Sequence, residues 1–211
     1  DRVAESTDAR SSFYAIRDTD SVVTGRSALL QQSIIGQVTD YEFQNGTDTE
    51  TYDIRFVSNH ELTDAHKGWY LDLLWPNDYN SGYIGERVVA EAILRHGRII
   101  FTTLIPELDP CAFGGTSWLM EIDAISGSRL HESVFDLNGD GLFDEKDLAL
   151  LDRERLPASG KRSKEGIIKR PGIINAGERE YKFTSGTSGT IEVTTESAGG
   201  DAGRQSWRQL R

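Results

Sequence analysis

The chain is poor in cysteine, in basic residues and in long apolar runs. One cysteine, Cys111, stands among 211 residues. It cannot form an internal disulfide, so cysteine usage says nothing about compartment. No base lies beside it in sequence to activate it as a nucleophile. There are 23 Lys and Arg against 34 Asp and Glu, a formal net charge of −11. That balance excludes the basic footprint with which proteins hold nucleic acid or an anionic membrane surface. No apolar run approaches the roughly 20 residues needed to span a bilayer, and no signal peptide is recognisable. HExxH, GxSxG and P-loop sequences are absent. His60, His66, His96 and His131 have no partners at zinc or catalytic spacing, so each reads as a surface histidine and the chain as a non-enzyme.

Hydrophobic residues make up 37% of the chain, with eight Phe, seven Tyr and four Trp, enough for a folded core. The organisation is one of short strand-like runs between turn signals: Ser12–Arg17, Tyr41–Gln44, Thr51–Ser58, Gly68–Leu74, Arg87–Arg95, Arg98–Ile105, Ser117–Asp123, Arg129–Phe135, Gly166–Asn175, Glu180–Thr184 and Thr190–Thr195. Leu29–Val38 fits a strand or a short helix. Asn45-Gly46 and His96-Gly97 suit hairpin turns, and Ser126-Gly127 marks another. With 21 glycines, the pattern predicts an all-β fold, and a propeller, a sandwich or a barrel all satisfy it. Trp69 and Trp118 each open an alternating strand, a spacing close to a propeller blade of about 40–50 residues. Trp69, Trp118 and Trp207 read as packing residues. Trp75 and Tyr79, in the polar WPNDYNSGY stretch, are the aromatics that suit a carbohydrate or partner contact.

The most specific signal is Asp136-Leu-Asn138-Gly-Asp140-Gly141-Leu142-Phe-Asp144-Glu-Lys-Asp147. Oxygen side chains fall at positions 1, 3, 5, 9 and 12 of a twelve-residue loop, with glycine at position 6 where an EF-hand-type calcium loop turns sharply. Leu142, at position 7, would offer its backbone carbonyl. Calcium takes about 6–8 oxygen ligands at flexible angles, and alternating residues let a short loop turn every second side chain inward. Asp147 replaces the longer glutamate that usually closes such a loop, which predicts a weak site of roughly 10⁻⁴ M or somewhat tighter. A solvated acidic turn is the plainer reading of the same residues.

The flanks are not those of a helix–loop–helix pair. Ser117–Asp123 alternates as a strand does. Downstream, Leu148, Leu150 and Leu151 give Glu145–Arg155 a partial apolar face, and the acids at its start suit a helix dipole, so a short helix is expected there. Leu156–Glu165 is polar with three basic residues and reads as loop. The calcium loop is thus an insertion, at about 132–165, among β elements.

Five stretches carry a family resemblance: Gly25–Ile34 (GRSALLQQSI), Lys67–Leu73 (KGWYLDL), Gly85–Pro106, Asp109–Leu130 (DPCAFGGTSWLMEIDAISGSRL) and Gly203–Arg211 (GRQSWRQLR). From about Ser11 to the end the chain resembles the C-terminal β-propeller of the PilY family of type IV pilus tip-associated adhesin and assembly proteins. The resemblance implies that residues 1–211 are the last blades of a quinoprotein-like propeller, starting mid-domain. It implies a non-enzymatic pilus biogenesis factor at the pilus tip or outer membrane, exported through the periplasm. Its expected work is to act with minor pilins, oppose retraction, and support twitching motility and adhesion to host cells. It carries calcium over to Asp136, Asn138, Asp140, the Leu142 carbonyl and Asp144; Asp147 lies beyond the family's nine-residue motif. Asn138 stands where the family usually has Asp, which keeps an oxygen but removes a charge. The adjacent cysteine pair of pyrroloquinoline quinone propellers is missing. Two alternatives keep the metal but change its meaning: a purely structural calcium site, and a dockerin-like binding module, although dockerins carry two such loops in a helical unit.

Overall fold

A computed structural model of the protein describes residues 11–18, 20–74, 85–107 and 114–199. Cys111, Trp75, Tyr79, Trp207 and the terminal GRQSWRQLR stretch lie outside the described residues. Among the described residues the strands are β1 (Ser12–Ile16), β2 (Leu30–Gln32), β3 (Ile34–Asn45), β4 (Asp48–Val57), β5 (Gly68–Asp72), β6 (Arg87–Val88), β7 (Ile93–Arg95), β8 (Arg98–Pro106), β9 (Gly115–Thr116), β10 (Trp118–Asp123), β11 (Leu148–Leu151), β12 (Glu154–Pro157), β13 (Gly160–Arg162), β14 (Gly172–Ala176), β15 (Arg179–Ser185) and β16 (Ile191–Ser197). Among the described residues helix is limited to single 3₁₀ turns at Arg26–Ala28 and Glu145–Asp147.

Local turn chemistry builds the hairpins. β7 and β8 join through His96 and Gly97 at φ 48° and 76°, the left-handed pair whose twist matches the flanking strands. β3 and β4 pair from Ile34↔Val57 to Asn45↔Asp48, with two register shifts in β3. The strands then assemble into four sheets: β1-β5-β2; an eight-stranded sheet in the order β3-β4-β13-β10-β8-β6, with β7 and β9 also on β8; the hairpin β11-β12; and β14-β15-β16. The described residues form no closed ring of sheets.

The centre of the large sheet, at β8 and β10, is buried on both faces, so both rows of the alternating Ser117–Asp123 strand lie inside. Trp118, Met120 and Ile122 point into one core with Val57, Trp69, Leu71 and Phe101, against the β1-β5-β2 sheet. Leu119 points the other way, with Phe43, Ile54, Phe56 and Ile100, into a second core closed by Val134, Phe135, Leu137, Ala149, Ala158 and Ile168. Each fully buried large apolar side chain stabilises the fold by about 1.5–3 kcal/mol, so these two cores supply the driving force.

The β14-β15-β16 sheet inverts the usual pattern. Its inward row carries Glu180, Lys182, Thr184, Thr194 and Glu196, all buried, while Ile174, Phe183, Ile191 and Val193 face outward.

Three expectations need correction. Glu145–Arg155 is not a helix: after the one-turn Glu145–Asp147 segment the chain forms the β11-β12 hairpin, turning at Asp152 and Arg153 with φ 47° and 79°. The leucine spacing that fits a helical face here lets Ala149 reach the second core from a strand. Leu156–Glu165 is not simply loop, because β12 ends and β13 lies within it, and β13 bridges β10 to β4. Arg129–Phe135 forms no strand beyond a single bridge, Phe135↔Glu196.

Candidate metal loop and a buried charge network

The Asp136–Asp147 segment is anchored from both sides. Asp136 N donates to Thr195 O at 3.1 Å, tying the loop's first residue to β16. Phe135 and Leu137 are buried in the second core, so the chain between them must turn Asp136 away from that core. Gly141 sits at φ 76°, and a Cβ there would stand 2.7 Å from the Arg179 guanidinium. The positive φ favours glycine at the sharp turn, whereas the guanidinium, at the end of a flexible exposed side chain, could move aside.

The side chains arrange themselves mainly around the loop's own backbone. Asp136 Oδ2 accepts from Gly141 N at 3.0 Å. Asn138 Oδ1 accepts from Asp140 N at 3.0 Å, and Asp140 Oδ1 from Leu142 N at 2.8 Å. Asp140 Oδ2 receives Asn138 Nδ2 at 3.0 Å and Lys146 Nζ at 3.2 Å. Asp144 Oδ1 caps the 3₁₀ turn by accepting from Lys146 N at 2.8 Å. The Leu142 side chain is exposed, which leaves its backbone as the part that belongs to the loop.

Asp147 is completely buried. Its Oδ1 accepts from Leu137 N at 2.7 Å and Asn138 N at 3.3 Å, and its Oδ2 from Asp144 N at 3.1 Å. It therefore clasps the two ends of the loop together. Burial is the main cause that pushes its carboxyl up to about 6, against the pull of those backbone donors.

One atom stands apart. Asp136 Oδ1 is cut off from water and accepts no hydrogen bond. Burial raises this carboxyl above its ordinary range, Asp140 adds to the rise, and Gly141 N–H, Gly139 N–H and Arg179 oppose it. A buried carboxylate oxygen without a donor is costly, and a hard cation is the partner that would satisfy it. Asp140 is shifted the other way, chiefly by the Leu142 N–H, so it stays ionised. The donor set is all oxygen, which suits calcium rather than a softer metal.

Among the described residues, the acids whose oxygens do come together lie elsewhere than in this loop, in a group hidden from sequence reasoning. Oxygens of Glu121, Glu180 and Glu196 lie within 4.8 Å of one another, all buried, close enough to hold a metal ion. That position is taken by a side chain. Lys182 Nζ contacts Glu121 Oε2 at 2.7 Å, Glu180 Oε1 at 3.3 Å and Glu196 Oε2. Arg98 pairs with Glu121 and Glu180, and Arg95 Nε with Glu180 at 2.5 Å. Three cations face three carboxylates, so the cluster is charge-balanced and ties β8 and β10 to the β14-β15-β16 sheet.

The remaining candidates do not converge on chemistry. His60 Nδ1 lies 2.8 Å from Gln31 O and His66 Nδ1 3.0 Å from Thr63 Oγ1, both exposed. A shallow apolar depression of about 680 Å³, lined by Phe13, Trp69, Leu94 and Ile125 among others, has Tyr14 and His96 as its ionisable lining residues. Trp69 and Trp118 are buried packing residues, as expected.

The chain is 34% identical over 131 residues to a type IV pilus biogenesis factor PilY1 homolog of Xylella fastidiosa, covering 62% of this chain and 10% of that protein. It is 27% identical over 152 residues to the type IV pilus biogenesis factor PilY1 of Pseudomonas aeruginosa, covering 72% of this chain and 12% of that protein. The chain is similar over these stretches to the PilY1 proteins. The resemblance read from Gly25–Ile34 onward is thereby borne out. The crystal structure of the Pseudomonas aeruginosa PilY1 C-terminal domain matches 90% of this chain and 37% of its own, with a TM-score of 0.66 at 21% identity. It shows the shared all-β fold. This chain spans about a tenth of the length of the PilY1 proteins it matches. They are named for pilus biogenesis and not for a reaction. No family model matches the chain. No helix of the described residues is long and apolar enough to cross a membrane.

Proposed function

We propose that this chain is a calcium-binding section of a type IV pilus biogenesis factor, with the ion held by Asp136, Asn138, Asp140, the Leu142 carbonyl and Asp144. Asp147 serves this loop as its clasp, since both of its oxygens already accept backbone hydrogens. The observation that carries the reading is the water-excluded, donorless Asp136 Oδ1 at the first position of the loop. In the same reading, calcium shifts the balance between pilus extension and retraction, minor pilins are the partners, and the protein acts outside the cell in twitching and adhesion. The sheets are blades of a propeller-like domain. Support for that comes from the outward row Ile174, Phe183, Ile191 and Val193, an apolar face of the kind that packs on a neighbouring sheet.

Calorimetric titration with calcium tests the loop. Saturable binding is expected, lost in Asp140→Ala and weakened in Asp136→Asn. A folded protein that takes up no calcium refutes the metal assignment. A structural role for the ion is favoured by the seating of Phe135 and Leu137 in the second core, because ordering the loop also orders core residues. The two roles separate in a piliated cell carrying the loop variant. Normal twitching with a lowered melting temperature assigns the ion to structure alone.

A further inference from the structure

We infer that Lys146 is a built-in competitor for the metal loop, holding the Asp140 oxygen that calcium must take, with Arg179 as a second resident cation over the turn. The inference rests on the calcium reading above and concerns residues that the calcium motif does not include.

Asp140 has two carboxylate oxygens with different duties. Oδ1 is spent on the Leu142 N–H and shapes the turn. Oδ2 is the oxygen left for a metal, and the Lys146 ammonium donates to it at 3.2 Å. Asn138 Nδ2 reaches the same atom, but an amide is neutral and carries no competing charge. Lys146 stands at position 11 of the same twelve residues, so it is tethered at high effective concentration. Its side chain is 60% exposed, and Asp140 is its one ion-pair partner within 4.0 Å among the described residues. Such an exposed pair contributes little to stability, and the lysine can swing into water when displaced.

Arg179 comes from a different element, the start of β15. Its guanidinium atoms lie against the bare Cα of Gly141, and its charge favours the ionised form of Asp136. Between them the two side chains set positive charge beside the first and fifth positions of the loop. A divalent cation entering there meets like charge. Both residues therefore lower the affinity for calcium, and binding frees Lys146 at the loop surface.

The test is calorimetric calcium titration of the parent chain, Lys146→Gln, Arg179→Gln and the control Arg17→Gln, whose charge sits beyond the end of β1. Each loop variant is expected to bind calcium about two- to five-fold more tightly than the parent. The control should be unchanged. The gain should shrink in about 1 M monovalent salt, where screening falls to roughly 3 Å. Melting temperatures in chelator should stay near the parent's, separating competition from a folding effect. Unchanged or weaker binding in Lys146→Gln overturns the inference, since weaker binding means that the lysine pre-organises Asp140. Equal tightening in the control overturns it as well, because net charge alone then accounts for the effect. A parent that binds no calcium is a different result and removes the calcium reading itself.

Discussion

Arg55 and Glu86 face each other through two parallel hydrogen bonds, 2.6 Å and 2.8 Å long, with both side chains withdrawn from water. The guanidinium also lies over the Trp118 ring, 4.2 Å from its centroid. The pair joins β4 to the segment just before β6, beside the first core. Burying two charges costs free energy that good geometry roughly returns, whereas removing one partner leaves the other stranded. Glu86→Leu or Arg55→Met alone should therefore cost about 3–5 kcal/mol. The double replacement Arg55→Met with Glu86→Leu should recover most of that loss, since Met still packs on the indole. Denaturant unfolding of the four proteins checks this, and additive losses in the double variant would show that the pair is not the unit of stability.

Lys182 is the more demanding case. Glu180 and Glu196 are directly opposite one another across β15 and β16, a like-charge pair that is unfavourable by itself. The buried ammonium between them, with Arg98 and Arg95, makes the arrangement tolerable. Lys182→Met should destabilise the fold by about 3 kcal/mol or more at neutral pH. The stranded glutamates then favour their protonated form in the folded state, so the variant should regain stability as pH falls from 7 towards 5. A loss that is the same at both pH values would count against the charge explanation.

Asp147 gives a pH dependence of its own, measured in chelator. Its carboxyl is pushed up to about 6 from an ordinary 3.8, first by burial. Between those values the folded state binds the proton more readily than the unfolded chain. The contribution to stability is therefore fully present below about pH 4 and is lost as pH rises through 6, amounting to about 3 kcal/mol at most. Asp147→Asn should lower stability overall, through the lost acceptor, and should flatten this slope. An unchanged slope in the variant would place the titrating group elsewhere.

How much of this was legible in the sequence depended on how local the cause was. Two-residue turns are written in two residues, so the β7-β8 hairpin was readable at His96-Gly97, and the β3-β4 hairpin was readable from Asn45-Gly46, although its turn is Gly46-Thr47, with Asn45 paired to Asp48 as the last residue of β3. The β11-β12 hairpin turns on Asp152 and Arg153, and arginine in a left-handed conformation carries no turn signature, so the leucines around it imitated a helix. The oxygen-rich loop was legible because its spacing is internal to twelve residues. The cations beside it were not equally so. Lys146 lies inside the motif but at a position that motifs ignore, and Arg179 arrives from thirty-eight residues beyond Gly141.

The sequence by itself determined the all-β class, the two-residue turn at His96-Gly97, the strands that carry Trp69 and Trp118, and the oxygen-rich loop. These follow from backbone sterics and from side chains a few residues apart. Only the tertiary structure decided which face of β15 and β16 is inside. By hydropathy Tyr181, Phe183, Ile191 and Val193 belong in a core, while Glu180, Lys182 and Glu196 belong in water. The fold does the opposite, because Glu121 and Arg98 on the neighbouring sheet supply the charges that let that polar row be buried. Whether a charged strand face is solvated or sealed is decided by what lies across from it, and that partner is brought there by the chain's long-range pairing.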